Sequence, residues 1–307
     1  MSLLEPSVVE SPWPKLPPFA EWEETHTTLH MWTQIVGKIR LALGPNINHY
    51  WGAALYVNAR GLTTSPIPTP EGAFTIDFDL VAHALRITTT RGAETSFALE
   101  PMSVAAFYEK IRAALRAVGV SVEIYGRPVE VVESIPFAQD TKHAAYDAEA
   151  VHLFWSVLVR AANVLAEFRA GFIGKCSPVH LFWGANDLAV TRFSGRTAPK
   201  HPGGAPHCPD RVMEEAYSHE VSSAGFWAGA GLGEAAFYSY AYPGPAGFAD
   251  WPVKPEAASF NADLGEFILP YEAIRESNPR RALLEFLQST YEGAATLAKW
   301  DRGALER

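Results

Sequence analysis

Apolar residues recur at intervals of three and four in four stretches of the chain, which is the spacing of helices with one buried face. Ser103 suits the N-cap of the second helix, and Pro279 lies in the first turn of the fourth. On the first helix His30, Gln34 and Lys38 follow one another at i, i+4, i+8, beside the apolar stripe. The pattern predicts helices at Thr25–Leu43, Val104–Val118, Asp147–Phe172 and Pro279–Leu297.

Between these helices the apolar residues alternate with a period of two, which predicts strands. In the first half the strands are Trp51–Ala59, Phe74–Phe78, a hairpin of Leu85–Thr89 with Thr95–Leu99, and Ser121–Tyr125. In the second half they are Trp183–Phe193, Tyr217–Ser223, Ala235–Tyr242 and Gly265–Leu269. Each half therefore reads helix, antiparallel strands, helix, and the predicted fold class is α+β. We expect an extended arm at 1–20, an N-terminal module at 21–139 and a C-terminal module at 140–307, packed together.

Two segments of the chain share a sequence skeleton that indicates an internal duplication. Trp51-Gly52-Ala53 aligns with Trp183-Gly184-Ala185, and at the same offset Tyr50 aligns with Phe182 and Arg60 with Arg192. The second copy is more polar than the first: His180, Asp187 and Ser194 stand where the first copy has Asn48, Leu55 and Leu62. This asymmetry predicts that the functional site lies mostly on the C-terminal module.

Charge and composition exclude some classes of function and location. The net charge of −9 argues against a nucleic-acid binder, whose surface would be basic. No apolar run approaches the roughly 18 residues that span a bilayer, and the N-terminus does not resemble a secretory signal. Two cysteines, Cys176 and Cys208, are too few for a disulfide framework. We expect a cytoplasmic protein that binds neither nucleic acid nor membrane.

Several long words of the sequence resemble a family of uncharacterised bacterial proteins, a domain of unknown function. They are TLHMWTQIVGKIRLAL, RGLTTSPIP, GKCSPVHLFWG, DLAVTRFSGR and EAYSHEVSSAGFW, with FLQSTYEGAA near the C-terminus. The resemblance runs from about Trp22 to the end of the chain. It implies a bacterial, soluble protein and assigns no reaction.

Two groups of residues are candidates for acid–base chemistry. His219 and Glu220 lie side by side, and a histidine that titrates near neutral pH is a natural general acid or base. Asp187 interrupts an apolar strand near His180, so we expect it to meet Arg192, Arg196, His219 or a ligand, because a buried carboxylate needs a partner. The alternatives are a structural histidine and a structural ion pair.

A third group is suited to binding an anion. Arg192, Ser194 and Arg196 follow one another at i, i+2, i+4 and share one face if the predicted strand continues past Phe193, and Lys38 belongs to the same cationic set. Trp183 and Trp227 are candidates for an aromatic ligand wall, although such residues more often pack a core. The segment around His207, Cys208 and Asp210 lacks an established zinc spacing, so a metal is not favoured, and no cofactor motif is recognisable.

The sequence therefore favours a small-molecule enzyme that acts on a carboxylate or phosphate substrate by histidine acid–base catalysis. A non-catalytic small-molecule binding protein remains open, and a structural interaction module is the weaker alternative. The sequence leaves the reaction class and the oligomeric state undetermined.

Overall fold

A computed structural model describes residues 12–307, which form an α+β fold and confirm the predicted fold class. The helices are α1 (Phe19–Leu43), α2 (Val104–Ala117), α3 (Ala148–Ala170), α4 (Asp210–Ala216), α5 (Pro279–Leu297) and α6 (Arg302–Leu305). The N-terminal strands are β1 (Ala54–Asn58), β2 (Gly61–Thr63), β3 (Ile67–Thr69), β4 (Gly72–Asp79), β5 (Ala84–Thr89) and β6 (Glu94–Ala98). The C-terminal strands are β7 (His180–Phe182), β8 (Asp187–Thr197), β9 (His219–Trp227), β10 (Ala236–Tyr242), β11 (Ser259–Asn261) and β12 (Glu266–Pro270).

All twelve strands belong to one antiparallel sheet. Its order is β11-β12-β10-β9-β8-β7-β1-β2-β4-β5-β6, with β3 paired to β4. The two halves of the chain meet where β1 pairs with β7, through Ala54 opposite Phe182 and Leu55 opposite Leu181. In both Trp-Gly-Ala segments the tripeptide lies in a turn that leads into a strand, β1 in one case and β8 in the other. The internal duplication stays a prediction.

Helix α3 packs across the middle of the sheet and joins both halves. Its buried side includes Phe154, Leu158 and Leu165, while the Trp155 Nε1–H donates to the carbonyl oxygen of Asn58 in β1 (3.2 Å). Among the described residues α3 is the one helix that is long and apolar enough to cross a membrane by length and composition, which by itself is weak evidence. Here its apolar residues pack in the protein core.

The predicted helices are present with small shifts at their ends. Helix α5 has the predicted bounds, and the Ser103 side chain accepts a hydrogen bond from the Ala106 N–H as the N-cap of α2. Helix α1 begins at Phe19 and therefore takes in the end of the predicted arm. The arm residue Trp13 is buried, and its N–H donates to the Arg275 carbonyl oxygen (2.9 Å). The first eleven residues of the predicted arm lie outside the described residues.

Two predicted strands were wrong. Residues 121–125 form no strand, and the Tyr125 side chain is 63% exposed. The predicted strand Trp183–Phe193 begins four residues too early, because residues 183–186 form the turn between β7 and β8, with Asn186 in the left-handed region (φ 58°). Gly184 and Asn186 are residues that favour such a turn.

Candidate functional site

A cavity of about 750 Å³ lies over the C-terminal strands, within the usual size range of small-molecule sites. Its floor consists of alternate residues of the strands, since successive side chains of a strand point to opposite faces. The floor residues are Asp187, Ala189, Thr191 and Phe193 of β8, Val221, Ser223 and Trp227 of β9, Tyr238 and Tyr240 of β10, and Glu266 of β12. The roof comes from the end of α1, helix α4 and three irregular segments, and includes Lys38, His49, Tyr125, Glu130, Cys208 and Tyr217.

Asp187 lies at the start of β8, where the Tyr238 hydroxyl donates a hydrogen bond to its Oδ2. Tyr238 is two strands away on β10, and between them β9 presents Gly225, which pairs with both Ala189 and Tyr238. A Cβ at Gly225 would lie 2.5 Å from the Tyr238 hydroxyl oxygen and 2.0 Å from the Leu188 carbonyl oxygen. The glycine therefore lets the tyrosine cross β9 to reach the aspartate.

Glu130 enters the cavity from the irregular segment after α2. A Cβ at Gly184 would lie 2.0 Å from the Glu130 Oε1, so the turn between β7 and β8 needs glycine where this carboxyl group rests. Glu266 enters from the other side of the floor. The register Ser239 opposite Phe267 places Glu266, one residue earlier, opposite Tyr240.

The three carboxyl groups of Glu130, Asp187 and Glu266, which we call the acid end, hold protons more tightly than free carboxyls. Burial raises the pKa of Asp187 to about 6, although the Tyr238 hydrogen bond opposes the rise. Burial, and then the charge of Asp187, raises the pKa of Glu130 and of Glu266 to about 7. Each group therefore exchanges protons near neutral pH.

Lys38 brings a positive charge into the same cavity. Its side chain is 7% exposed, and Nζ lies 5.1 Å from the centre of the Trp183 ring and 5.2 Å from that of Tyr125. Burial lowers the pKa of Lys38 to about 8, against the opposing charges of Cys208 and Glu130. Within residues 12–307 none of Lys38, Glu130, Asp187 and Glu266 forms an ion pair.

The polar side chains of α1 fix the roof to the sheet. The His30 Nε2 contacts the carbonyl oxygens of Trp183 (3.0 Å) and Gly184 (2.9 Å). Gln34 is fully buried and both donates to the Val129 carbonyl oxygen (2.8 Å) and accepts from the Val129 N–H (2.9 Å). The row His30, Gln34, Lys38 therefore holds the Trp183 turn, then the segment that carries Glu130, and ends in the cavity.

Hydroxyl groups occupy the middle of the floor. Thr191 and Ser223 are paired across β8 and β9, and their oxygens lie 2.9 Å apart. The Tyr217 and Tyr240 hydroxyls lie 2.8 Å apart. Burial raises the pKa of Tyr217 to about 12 and that of the Cys208 thiol to about 11, so both stay protonated at neutral pH.

His219 lies on the floor side of β9 but beyond the cavity lining. Its ring centre is 5.6 Å from that of His49, which does line the cavity. The Lys175 Nζ donates to the His49 Nε2 (2.6 Å), and the His49 Nδ1 is 3.1 Å from the Ala216 carbonyl oxygen. Burial, and then the charge of Lys175, lowers the pKa of His49, which favours the neutral ring.

The remaining predicted site residues lie away from the cavity. Glu220 points to the opposite face from His219 and binds Arg196, whose Nη2 is 2.6 Å from Oε2. Arg192 is 2% exposed on that same opposite face, where its guanidinium lies 3.4 Å from the centre of the Phe168 ring. Ser194 accepts a hydrogen bond from the Arg196 N–H (3.0 Å).

His180 is fully buried beneath Trp51 and Phe182, and neither ring nitrogen has a hydrogen-bond partner among the described residues. Burial lowers its pKa to about 3, which keeps the ring neutral. The protein partners expected for Asp187, namely Arg192, Arg196 and His219, were therefore wrong, and the expected ligand stays a prediction. Asp187 accepts a hydrogen bond from Tyr238 instead. Arg192 lies on the face opposite the cavity floor, Arg196 pairs with Glu220 there, and His219 lies at the far end of the floor.

Of the predicted residues, the structure brings Lys38, Trp183, Asp187 and Trp227 together in the cavity. Glu130 and Glu266 were missed by the sequence reasoning. Glu266 carries a signal in the sequence, because it begins an apolar strand, as Asp187 does. Glu130 lies in a Pro-punctuated segment, where nothing in the pattern indicates burial.

No three His, Cys, Asp or Glu side chains in the described part of the chain are grouped so that they could hold a metal ion. Cys176 and Cys208 are both free. The chemistry available in the cavity is therefore proton transfer by carboxyl groups, hydrogen bonding by tyrosines and attraction of an anion by lysine.

Comparison with known proteins gives a family. A family model described as a family of unknown function (DUF5996) matches residues 13–307, so the chain belongs to that family. No curated protein and no solved structure matches the chain.

Proposed function

We propose that this member of the DUF5996 family is a small-molecule enzyme whose reaction takes place in the cavity over β8, β9, β10 and β12. One observation carries the proposal: Lys38, Glu130, Asp187 and Glu266 face one cavity, and none has an ion-pair partner among residues 12–307. Buried charges without partners destabilise a fold, so residues of this kind in a cleft favour a functional role.

Asp187 is the proposed general base. With a pKa of about 6 it is mostly ionised at neutral pH, and the Tyr238 hydroxyl fixes its orientation. Glu130 and Glu266, with pKa values of about 7, provide the complementary general acid. The proposed reaction still uses acid–base catalysis, as expected from the sequence. The proton-transfer role expected for His219 is now assigned to carboxyl groups that line the cavity.

Lys38 is the proposed anchor for an anionic group of the substrate. Its side chain is 7% exposed, its ammonium group lies over the Trp183 ring, and it lacks a carboxylate partner among residues 12–307, so a substrate carboxylate or phosphate would supply the missing charge. Protonated Glu130, which is electrostatically coupled to Lys38, can donate a hydrogen bond to the same anion.

The second candidate function is non-catalytic binding of a small molecule in the same cavity. The aromatic lining favours it, since Trp183, Trp227, Tyr238 and Tyr240 present large apolar surfaces that bind a ligand without any chemistry. Both candidates place the protein in the bacterial cytoplasm. The two free cysteines agree with a reducing compartment.

Turnover of a metabolite mixture tests the proposal. Purified protein is incubated with a bacterial metabolite extract, and mass spectrometry follows which compounds disappear and which appear. We expect a substrate–product pair with the wild type, and a rate lower by about 10²–10⁴-fold with Asp187→Asn, the range for loss of a general base. Asp250→Asn is the matched control, because Asp250 is exposed and lies outside the cavity.

His219→Ala separates the carboxyl proposal from the histidine mechanism expected from the sequence. If His219→Ala abolishes turnover and Asp187→Asn does not, the proton-transfer role returns to the histidine. A compound that binds the wild type and is never converted supports the binding protein instead.

A further inference from the structure

The acid end carries more negative charge than its surroundings neutralise. Glu130, Asp187 and Glu266 come from three separate elements and converge on one cavity. No arginine or lysine of the described chain forms an ion pair with any of them. Two cations, Lys38 and Arg211, line the cavity, and Lys38 is electrostatically coupled to Glu130 and Cys208.

Aromatic rings surround the part of the acid end farthest from Lys38. Glu266 lies opposite Tyr240, whose ring stacks on Tyr238 with centres 6.1 Å apart. Trp227 lines the cavity beside Asp187, because Phe226 pairs with Leu188 in the register of β8 and β9. Carboxylates combined with the faces of tyrosine and tryptophan rings form the kind of surface that attracts an organic ammonium group.

Lys38 gives independent evidence that a charged ligand fills this cavity. Its side chain is only 7% exposed, and it has no hydrogen-bond or ion-pair partner within residues 12–307. An ammonium group in that position calls for an anion from outside the protein. The charges of the cavity therefore favour a ligand that has a negative group beside Lys38 and a positive group at the acid end.

We infer that the acid end of the cavity binds a positively charged amine, and that the substrate is a small amphoteric molecule. Its amine contacts Asp187 and Glu266, and its carboxylate or phosphate contacts Lys38. The inference rests on the proposed function, because it names the substrate class of the same site. A metal ion does not fit this place, since the described residues group no three metal-ligating side chains there.

The electrostatic state of the free cavity agrees with this inference. The charge of Asp187 raises the pKa of both Glu130 and Glu266, so part of the acid end is protonated at neutral pH. The other titratable groups that face Glu266 are Asp187 and the hydroxyls of Tyr217, Tyr238 and Tyr240, all with raised pKa values. An arriving amine would take the place of these protons, so its binding releases protons to the solvent.

Three probes of the same shape and different charge test the inference. They are phenethylamine, phenethyl alcohol and phenylacetate, each titrated into the full-length protein by calorimetry at pH 7.5. We expect phenethylamine to bind at least about tenfold more tightly than phenethyl alcohol, as a charge-assisted hydrogen bond would give. Titration of phenethylamine in two buffers of different ionisation enthalpy should show proton release.

Variants assign each charge to its subsite. Glu266→Gln should reduce the preference for phenethylamine over phenethyl alcohol to less than about threefold and leave phenylacetate binding unchanged. Lys38→Met should do the reverse, weakening phenylacetate alone. Glu285→Gln is the control for a carboxyl group elsewhere, because Glu285 lies on α5 and pairs with Arg281 (2.9 Å). Asp187→Asn serves as the second acid-end variant if Glu266→Gln does not fold.

The inference is overturned if phenethyl alcohol binds as tightly as phenethylamine, or if Glu266→Gln and Asp187→Asn both leave the preference unchanged. These outcomes concern binding of unreactive probes, so they are separate from the turnover test. Asp187-dependent turnover of a substrate without an amine would leave the proposed function standing and end this inference. Amine-selective binding without any turnover would support this inference and count against the proposed enzyme function.

Discussion

Burial and the hydrogen bond from Tyr238 change the pKa of Asp187 in opposite directions. Burial raises the pKa of Asp187, while the hydrogen bond from the Tyr238 hydroxyl stabilises the ionised form and lowers it. The balance of the two effects leaves the pKa of Asp187 at about 6. The tyrosine therefore keeps the carboxyl group ionised at neutral pH, as a base requires.

We predict that Tyr238→Phe raises the pKa of Asp187 above about 6, because burial remains and the opposing hydrogen bond is lost. A carbon-13 NMR titration of the aspartate carboxyl groups measures the change. Tyr242→Phe is the control, since that hydroxyl binds the Pro199 carbonyl oxygen instead (3.1 Å). An unchanged or lower midpoint in Tyr238→Phe would refute the assigned role.

Glu266 should make the fold less stable as the pH rises. Its folded-state pKa of about 7 is above the ordinary 4.5, so the folded state binds the proton more tightly than the unfolded chain does. Stability is therefore highest below pH 4.5, falls as the pH rises toward 7, and stays reduced above it. The full shift corresponds to roughly 3 kcal/mol, and partial solvent screening reduces this to about 1–2 kcal/mol.

We predict that Glu266→Gln raises the free energy of unfolding by about 1–2 kcal/mol at pH 8 and gives no gain at pH 4.5, because the neutral amide avoids the cost of the buried charge. Urea denaturation at the two pH values measures the difference. The same substitution at Glu285 should give no pH-dependent gain. A stabilisation that is equal at both pH values would contradict this account.

Which face a strand residue occupies could have been worked out from the sequence. Asp187 and Arg192 are five positions apart, and an odd separation in a strand places two side chains on opposite faces. The expectation that they meet overlooked this parity. Glu130 could not be found in this way, because it reaches the cavity through the fold of an irregular segment rather than through a periodic pattern.

At the scale of elements, α1 is a structural support as well as a core helix. Its apolar side is buried, and its row of polar residues is buried too, because the row binds backbone groups of the Trp183 turn and of the segment that carries Glu130. The i, i+4, i+8 spacing of this row was visible in the sequence. Its partners were not, since they lie 95 to 154 positions away in the chain.

We predict that Gln34→Leu frees the segment around Val129. The substitution keeps the size of the side chain but leaves the Val129 N–H and carbonyl oxygen without their partner, at a cost of about 2–4 kcal/mol. Hydrogen exchange at the Val129 amide should speed up far more than exchange in α5. Equal acceleration in both places would indicate general destabilisation and contradict the local role of Gln34.

Elements with strong local signals were predicted, and those without them were not. Helix α5 and the β5–β6 hairpin follow from proline, glycine and apolar spacing, which act within a few residues. Helix α4 was not predicted, since its seven residues bury no side chain and so show no apolar face. The roof of the cavity is built largely from such segments, so the sequence indicated the floor of the site better than its roof.

At the scale of the whole molecule, the two halves share one sheet and one core. The main apolar cluster includes Phe107 of α2 and Phe286 of α5, and α3 lies between them in contact with strands of both halves. The sequence predicted two modules packed together, which describes the order of the elements. It did not predict that β1 and β7 pair, because two short strands far apart in the chain carry no local signal of their pairing.

A shared core has a consequence for unfolding. Truncating a fully buried phenylalanine costs about 3–5 kcal/mol, and in a cooperative fold that cost lowers the stability of every part. Phe107 stacks on Trp32 with ring centres 4.8 Å apart, in the N-terminal half, and Phe286 is fully buried in the C-terminal half. We therefore predict that Phe107→Ala and Phe286→Ala each move one single thermal transition to lower temperature.

Differential scanning calorimetry measures these transitions. The surface substitution Glu285→Gln is the control, and it should leave the transition temperature unchanged. If the halves were independent, Phe107→Ala would split the transition and leave a C-terminal component at the wild-type temperature. That component should be missing, because α3 packs on β1 as well as on β8 and β9, so loss of the N-terminal half exposes a face of the helix that the cavity floor needs. The acid end then depends on packing in a half of the chain that supplies only part of its roof.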